Sequence, residues 1–288
     1  MESLNSFWST YSTLVLLSGT NVLLALSIYI TLACGLLSVA NAGFMAIGAY
    51  SAALLTLHTG TPLPLALILG ALAAATMALV IGVPTLRLSG VYLAMATLAF
   101  GEVVRILILN AEDITGGALG LNGIPQFVGL FEVIISVALA LYIFLRLADS
   151  QVGRSMTAIS QDEIATELMG LNVRAYKLFC FVIGAALAGL AGALNAHFTF
   201  FISPNEYGFE RAVEILAMGV IGGVSSPWGA VLGGTLITAL PELLRGMGRF
   251  RPLINGAILI IIMLYSPRGL WDGLRSVLRR ARARASAC

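Results

Sequence analysis

Apolar residues run through this chain in long blocks that are almost free of charge. The blocks lie at 14–37, 40–58, 63–83, 88–109, 129–147, 178–201, 212–226, 228–244 and 252–266. Several approach or exceed the roughly 20 residues that a helix needs to cross a bilayer. They are continuously apolar rather than alternating, which favours helices over a barrel. Breaks such as "TGTPLP" and "GVPTLRLSG" separate them with proline and glycine. The pattern predicts an all-α, polytopic transmembrane bundle of about 8–10 spans, forming one domain over 1–288. Two segments, "SVANAGFMAIGAY" and "GVIGGVSSPWGAVLGG", are rich in small residues and are candidates for broken or re-entrant helices. Gly219/Gly223, Gly229/Gly233 and Ala188/Gly192 are each four apart, the spacing that lets helix backbones approach. Helix packing is the plainer use of these pairs, a gating hinge the alternative.

Composition sharpens this picture. The chain is 59% hydrophobic and 10% charged, with a mean hydropathy of +0.96, whereas about a quarter of the residues in a soluble domain are charged. The placement of charge then sets an orientation. Arg268, Arg275, Arg279, Arg280, Arg282 and Arg284 follow the final apolar block in a basic tail at about 268–288. The positive-inside rule puts that tail, and with it Arg87, Arg146, Arg154, Arg174 and Lys177, in the cytoplasm. Beside a span, such a tail reads as a topological signal rather than a nucleic-acid site. Nine crossings then place the N-terminus outside, and "MESLNSFWST" does not read as a cleavable signal. Arg245, Arg249 and Arg251 fall outside and break the rule.

Candidate chemistry is sparse. Cys34, Cys180 and Cys288 form no framework and read as buried small hydrophobes. His58 and His197 have no metal-ligand spacing, so no metal site is expected. No Gly-x-Ser-x-Gly nucleophile motif accompanies either histidine. Lys177 is the sole lysine, and it lies in "AYKLF" rather than in a glycine-rich phosphate loop. The chain therefore carries no Walker-type ATP site of its own.

The polar loop at about 148–177 stands apart. In "SQDEIATELMGLNV", Ser160 and Glu163 have capping-box spacing, and Gly170 with Asn172 supplies a stop. The spacing predicts a helix of about nine residues, too short to span. It places Ile164, Leu168 and Leu171 on one face, with Asp162, Glu163 and Glu167 elsewhere. A helix resting on anionic lipid is expected to be basic. This one is acidic, which points to a protein partner, with a solvated connector as the alternative.

The stretch "GRSMTAISQDEIATELMGLNVRAYKLFCFVIGAALAGLAGAL" closely resembles the cytoplasmic loop and following span of permeases from ABC importers for branched-chain amino acids. "YLAMATLAFGEVVR", "TGGALGLNGIP", "MGVIGGVSSPWGAVLGG" and "SPRGLWDGLRSVL" agree, in the family's order, over about Leu24 to Leu278. The likeness is closer to the M-type than to the H-type subunit. It implies that the loop helix is a coupling helix docking into an ATPase subunit through Asp162, Glu163, Ala165, Glu167 and Gly170. The wider importer signature, Glu-Ala-Ala then Gly, is spaced differently in "EIATELMG". The implied partners are a second homologous permease, two ATP-binding subunits carrying ATP and Mg, and an extracytoplasmic binding protein, in a bacterial-type inner membrane. The implied cargo is a branched-chain or other hydrophobic amino acid, with urea, short amides or aromatic acids as alternatives. An ion-coupled secondary transporter is the rival class.

Further polar positions acquire candidate roles. Glu102 and Arg105, three apart in a span, form either a local pair or a substrate contact. Thr115, Gly116 and Gly117, in the outer loop, are candidates for the translocation mouth. So are Asn41, Gly43 and Gly48, whose helix amides would face a zwitterion if that helix breaks. Arg245, Arg249 and Arg251 are candidates for pairing with carboxylates of the binding protein.

Overall fold

The computed structural model describes residues 2–126 and 128–244 and isolated positions between 256 and 273, with side chains from residue 13 onward. Helices dominate: α1 (Glu2–Ala33), α2 (Asn41–Thr59), α3 (Leu63–Thr85), α4 (Gly90–Asn110), the single turn α5 (Glu112–Thr115), α6 (Leu130–Asp149), α7 (Gln151–Gln161), α8 (Glu163–Leu168), α9 (Val173–Thr199), α10 (Phe209–Gly222) and α11 (Pro227–Leu243). A two-residue ribbon joins β1 (Leu121–Asn122) to β2 (Phe201–Ile202), antiparallel, with Leu121 opposite Ile202. It ties the loop after α4 to the end of α9. We call that end of the bundle distal, and the end carrying α7 and α8 basal.

Among the described residues, six helices are long and apolar enough to cross a membrane: Thr13–Ala33 of α1, α2, α3, α4, α6 and α9. The chain is a multi-pass membrane protein. The blocks predicted at 212–226 and 228–244 become α10 and α11, with 14 and 17 residues. At about 1.5 Å per residue they reach roughly 21 and 26 Å, short of a 30 Å hydrocarbon core. The chain makes up the distance with non-helical backbone, passing from the distal ribbon through a 3₁₀ turn at Pro204–Tyr207 before α10 begins. The turn between α10 and α11 reaches the basal end. There Val224 and Ser225 line a cavity of about 410 Å³ with Ala33, Phe144 and Ser160. The ninth predicted block, 252–266, and the tail at 268–288 lie almost entirely outside the described residues.

Helix α9 is the hub, packing most extensively on α2, α3 and α1. Its packing face is built of Gly184, Ala185, Ala188, Gly189, Ala191 and Gly192, all buried. A Cβ placed on Gly192 would drive into the carbonyl oxygen of Met45 on α2. One on Gly48 of α2 would strike the backbone of Gly189. The two helices therefore meet backbone to backbone, the contact that replaces the hydrophobic effect between helices in lipid. The Ala188/Gly192 and Gly229/Gly233 pairs are used for packing, the latter with Gly233 against the Met218 carbonyl of α10. Gly223 instead takes φ +97° and ends α10.

Several buried polar groups are hydrogen-bonded between elements, as a water-poor interior favours. Residues 34–40 leave helical geometry, and the Val39 amide donates to Thr97 Oγ1 on α4 at 3.0 Å. The His197 ring lies 2.8 Å from the Ala193 carbonyl and 3.2 Å from Thr56 Oγ1, joining α9 to α2. Cys34 and Cys180 are free and buried, as expected, and Cys288 lies outside the described residues.

The glycine contacts make a discriminating prediction. Gly192→Ala should lower stability by about 1–3 kcal/mol through overpacking. Gly101→Ala on α4, whose added Cβ would meet nothing nearer than 3.8 Å, should be neutral or slightly stabilising. Thermal unfolding of the two variants in the same detergent checks the difference.

Candidate functional site

The basal loop folds as two short helices. Ser150 N-caps α7, accepting from the Gly153 amide at 3.3 Å. The predicted capping box is replaced by a different cap. Ser160 belongs to α7, where its hydroxyl donates to the Thr157 carbonyl at 2.8 Å. Asp162, extended at φ −153°, is the true N-cap of α8, and its Oδ1 accepts from the Ala165 amide at 3.0 Å. The physical reason is length. The apolar face of α7 carries helix through to Gln161, burying Met156 and Ile159, so the break falls at the next residue able to cap, an aspartate. Helix α8 is accordingly six residues long rather than about nine. Gly170, at φ +85°, supplies the left-handed stop. Asn172 acts forward, capping α9 through the Ala175 amide at 3.2 Å.

One loop residue is set apart from the rest by its ion pair. Ile164, Leu168 and Met169 stand out from the basal surface at 75%, 84% and 85% exposure. Asp162, Ala165, Glu167 and Gly170 are exposed around them. Large apolar side chains exposed together on one short helix form the kind of patch by which proteins meet partners. Glu163 turns the other way and pairs with the Lys177 ammonium at the base of α9. The lysine side chain is 8% exposed and the glutamate 47%. The only lysine in the chain is thus buried in an ion pair that fastens α8 to the hub helix. Arg87 and Arg174 line one cavity at the ends of α3 and α9.

The other predicted polar positions are scattered. Glu102 and Arg105 form the local pair, with Arg105 Nε 3.5 Å from Glu102 Oε2. The structure adds a role that sequence spacing did not reveal: Glu102 Oε1 accepts from the Phe209 amide at 2.9 Å. The carboxylate of α4 therefore sits at the N-terminus of α10, where the helix dipole favours negative charge. Asn41, Gly43 and Gly48 are buried in packing rather than gathered around a broken helix. Helix α2 is continuous from Asn41, whose amide donates to Ser27 Oγ at 2.7 Å, while Gly43 lies against the Gly101 backbone. Thr115, Gly116 and Gly117 shape the distal loop. The Thr115 hydroxyl is held to the Ile108 and Ala111 carbonyls at 2.6 and 2.8 Å, and Gly116 takes φ +71°. Arg245, Arg249 and Arg251 lie outside the described residues.

Sequence reasoning passed over one constellation, "NEYGFERAVE" (Asn205–Glu214). Its charges look like an ordinary loop-to-helix junction until folding gathers them around one distal cavity of about 660 Å³. There Arg211 Nη1 donates to Glu214 at 2.5 Å and Nη2 to Asn21 Oδ1 at 2.6 Å. Asn21 in turn donates to Thr238 Oγ1 at 2.8 Å, linking α1, α10 and α11. Burial raises the Glu206 carboxyl above the usual carboxylate range, with Arg211 opposing. Three glutamates within nine residues at the head of an apolar helix are the signal that was available.

A bundle of long apolar helices carrying a short, capped, exposed helix in a polar basal loop defines a multi-pass membrane domain. Residues 10–266 match the family described as branched-chain amino acid transport system / permease component, and the chain belongs to that family. It is 35% identical over 295 residues to the high-affinity branched-chain amino acid transport system permease protein LivM of Escherichia coli, covering 91% of this chain and 68% of that protein. The LivH permease protein of the same organism is 35% identical over 46% of this chain and 42% of its own length. The BraD permease protein of Pseudomonas aeruginosa is 29% identical over 54% and 51%. No solved structure matches the chain.

The asymmetric burial of the basal ion pair predicts asymmetric mutants. Glu163→Gln leaves a buried ammonium without its counter-charge and should cost about 1–3 kcal/mol. Lys177→Met leaves a half-exposed carboxylate that water can solvate, and should cost less. Thermal unfolding, with hydrogen exchange of α8 amides, reads both effects.

Proposed function

We propose that this chain is one membrane-spanning subunit of an ATP-driven importer that moves branched-chain or other hydrophobic amino acids inward by alternating access. The observation that carries the reading is the exposed apolar face of α8, presented at the basal end by a helix fastened to the hub. Family membership supports the cargo. Urea, short amides and aromatic acids are the alternatives within the same importer class.

In this reading the basal end faces the cytoplasm of a bacterial-type inner membrane, and the basic tail lies on that side. Two ATP-binding subunits hold ATP and Mg. This chain supplies no phosphate loop, because its one lysine is committed to Glu163. Helix α8 is the coupling helix: Ile164, Leu168 and Met169 enter a groove of an ATPase, while Asp162, Ala165, Glu167 and Gly170 frame the contact. Closure of the ATPase pair displaces α8, and the Glu163–Lys177 pair passes the displacement into α9. A second homologous permease completes the membrane assembly, and an extracytoplasmic binding protein delivers cargo to the distal end, with Arg245, Arg249 and Arg251 as its candidate contacts.

The test is purification of the chain from its native membrane with whatever accompanies it, followed by ATP hydrolysis and uptake assays. Ile164→Asp with Leu168→Asp removes two apolar anchors, each worth roughly 1.5–3 kcal/mol when buried. ATPase affinity should then fall at least about 100-fold, with the chain still inserted and folded. An ATPase that stays bound to the double variant, or uptake driven by an ion gradient alone, would sink the proposal.

A further inference from the structure

The distal cavity has a division of labour that the proposed function leaves unused. Leu17 of α1, Val213 of α10 and Ile237 of α11 give it an apolar wall. Glu206, Tyr207, Glu210 and Arg211 give it a polar lining. The charges there are unevenly matched. Glu214 is paired with Arg211, but among the described residues no ion pair reaches Glu206 or Glu210. The Arg211 guanidinium spends two of its five N–H groups on Glu214 and Asn21, leaving others to donate.

Tyr207 is the independent sign of a ligand. It is 1% exposed, lines the cavity, and among the described residues its hydroxyl has no partner in good hydrogen-bond geometry, Asn195 being the nearest candidate. Buried polar atoms in native proteins are rarely left without a partner, since an unsatisfied one costs free energy. An orphan hydroxyl in the wall of a cavity is explained if something else fills its bonding capacity.

We propose that this cavity is a binding station for a zwitterionic amino acid with an apolar side chain, on its way through the subunit. The ammonium group lies against Glu206 and Glu210, and the carboxylate accepts from the Tyr207 hydroxyl and the spare Arg211 donors. The side chain rests on Leu17, Val213 and Ile237. This rests on the amino-acid reading above and narrows it. Urea and simple amides lack both charges and would leave Glu206, Glu210 and Arg211 unanswered. Aromatic acids without an amine would meet two carboxylates with a third.

The experiment uses the full complex with its ATPases and partner permease. Val213→Cys places a thiol on the apolar wall, and its alkylation by a water-soluble reagent is followed on this chain by mass spectrometry. L-leucine should slow that alkylation, while isoamylamine and 4-methylpentanoate, each lacking one charged group, should protect far more weakly. Glu210→Gln should raise the leucine concentration for half-protection roughly 10–100-fold, the loss expected for one hydrogen bond to a charged group. Glu210→Asp should restore much of it. If the glutamine variant fails to assemble, Glu206→Gln makes the same measurement. Unchanged alkylation with leucine, or equal protection by all three compounds, in a complex that still performs ATP-driven uptake would overturn the station and spare the importer reading. A complex without ATP-driven uptake would instead strike at the importer reading itself.

Discussion

Everything in this bundle depends on helix backbones coming closer than side chains normally permit. In lipid, apolar surface gains little by meeting apolar surface, so helices associate through dispersion contacts and shape. Gly48, Gly189 and Gly192 remove the side chains where α2 crosses α9, and the backbones touch. Gly70 and Ala74 continue the seam into α3, packing on Ala193 and Gly189. With α1, α2 and α3 held this closely, α9 behaves as a shaft, and the loops at its two ends are positioned by it. The basal loop takes its ion pair from α9, and the distal ribbon begins where α9 stops.

Much of this was legible beforehand. Long uncharged runs fix helical spans because a bilayer offers no water to satisfy exposed amides, and the starts of α2, α3 and α4 fall within two residues of the predicted edges. The polar, punctuated character of 160–173 identified the short helix that stands exposed at the basal end. Other features were not legible because they are decided by tertiary neighbours. Ser160 and Asp162 are both competent caps, and only the burial of Met156 and Ile159 determines that the helix continues past the first. Glu163 reads as a surface acid, and its partner Lys177 lies fourteen residues on, across a helix break. The blocks 212–226 and 228–244 match α10 and α11 in length, but hydropathy does not distinguish an apolar helix that crosses from one that starts partway in.

The chain's few charges are used economically. Glu102 holds Arg105 and the first turn of α10 together, so one carboxylate both neutralises a guanidinium and caps a helix. Arg211 joins Glu214 to Asn21, stitching α10 to α1. Glu163 and Lys177 do the same between α8 and α9. In each case the charge is neutralised by a partner on a neighbouring turn or element. These are the junctions at which short segments join the long-helix bundle, and apolar packing alone would leave them without a defined register.

One consequence concerns chemistry rather than architecture. Since Lys177 is the only lysine and is nearly inaccessible, amine-directed reagents find no lysine on this chain while α8 stays in place. If α8 lifts from α9, the amine loses its cover and comes within reach of such reagents. Acylation of Lys177 is then a built-in clock for the opening of that junction. It can be read in an intact assembly without introducing any label or foreign side chain.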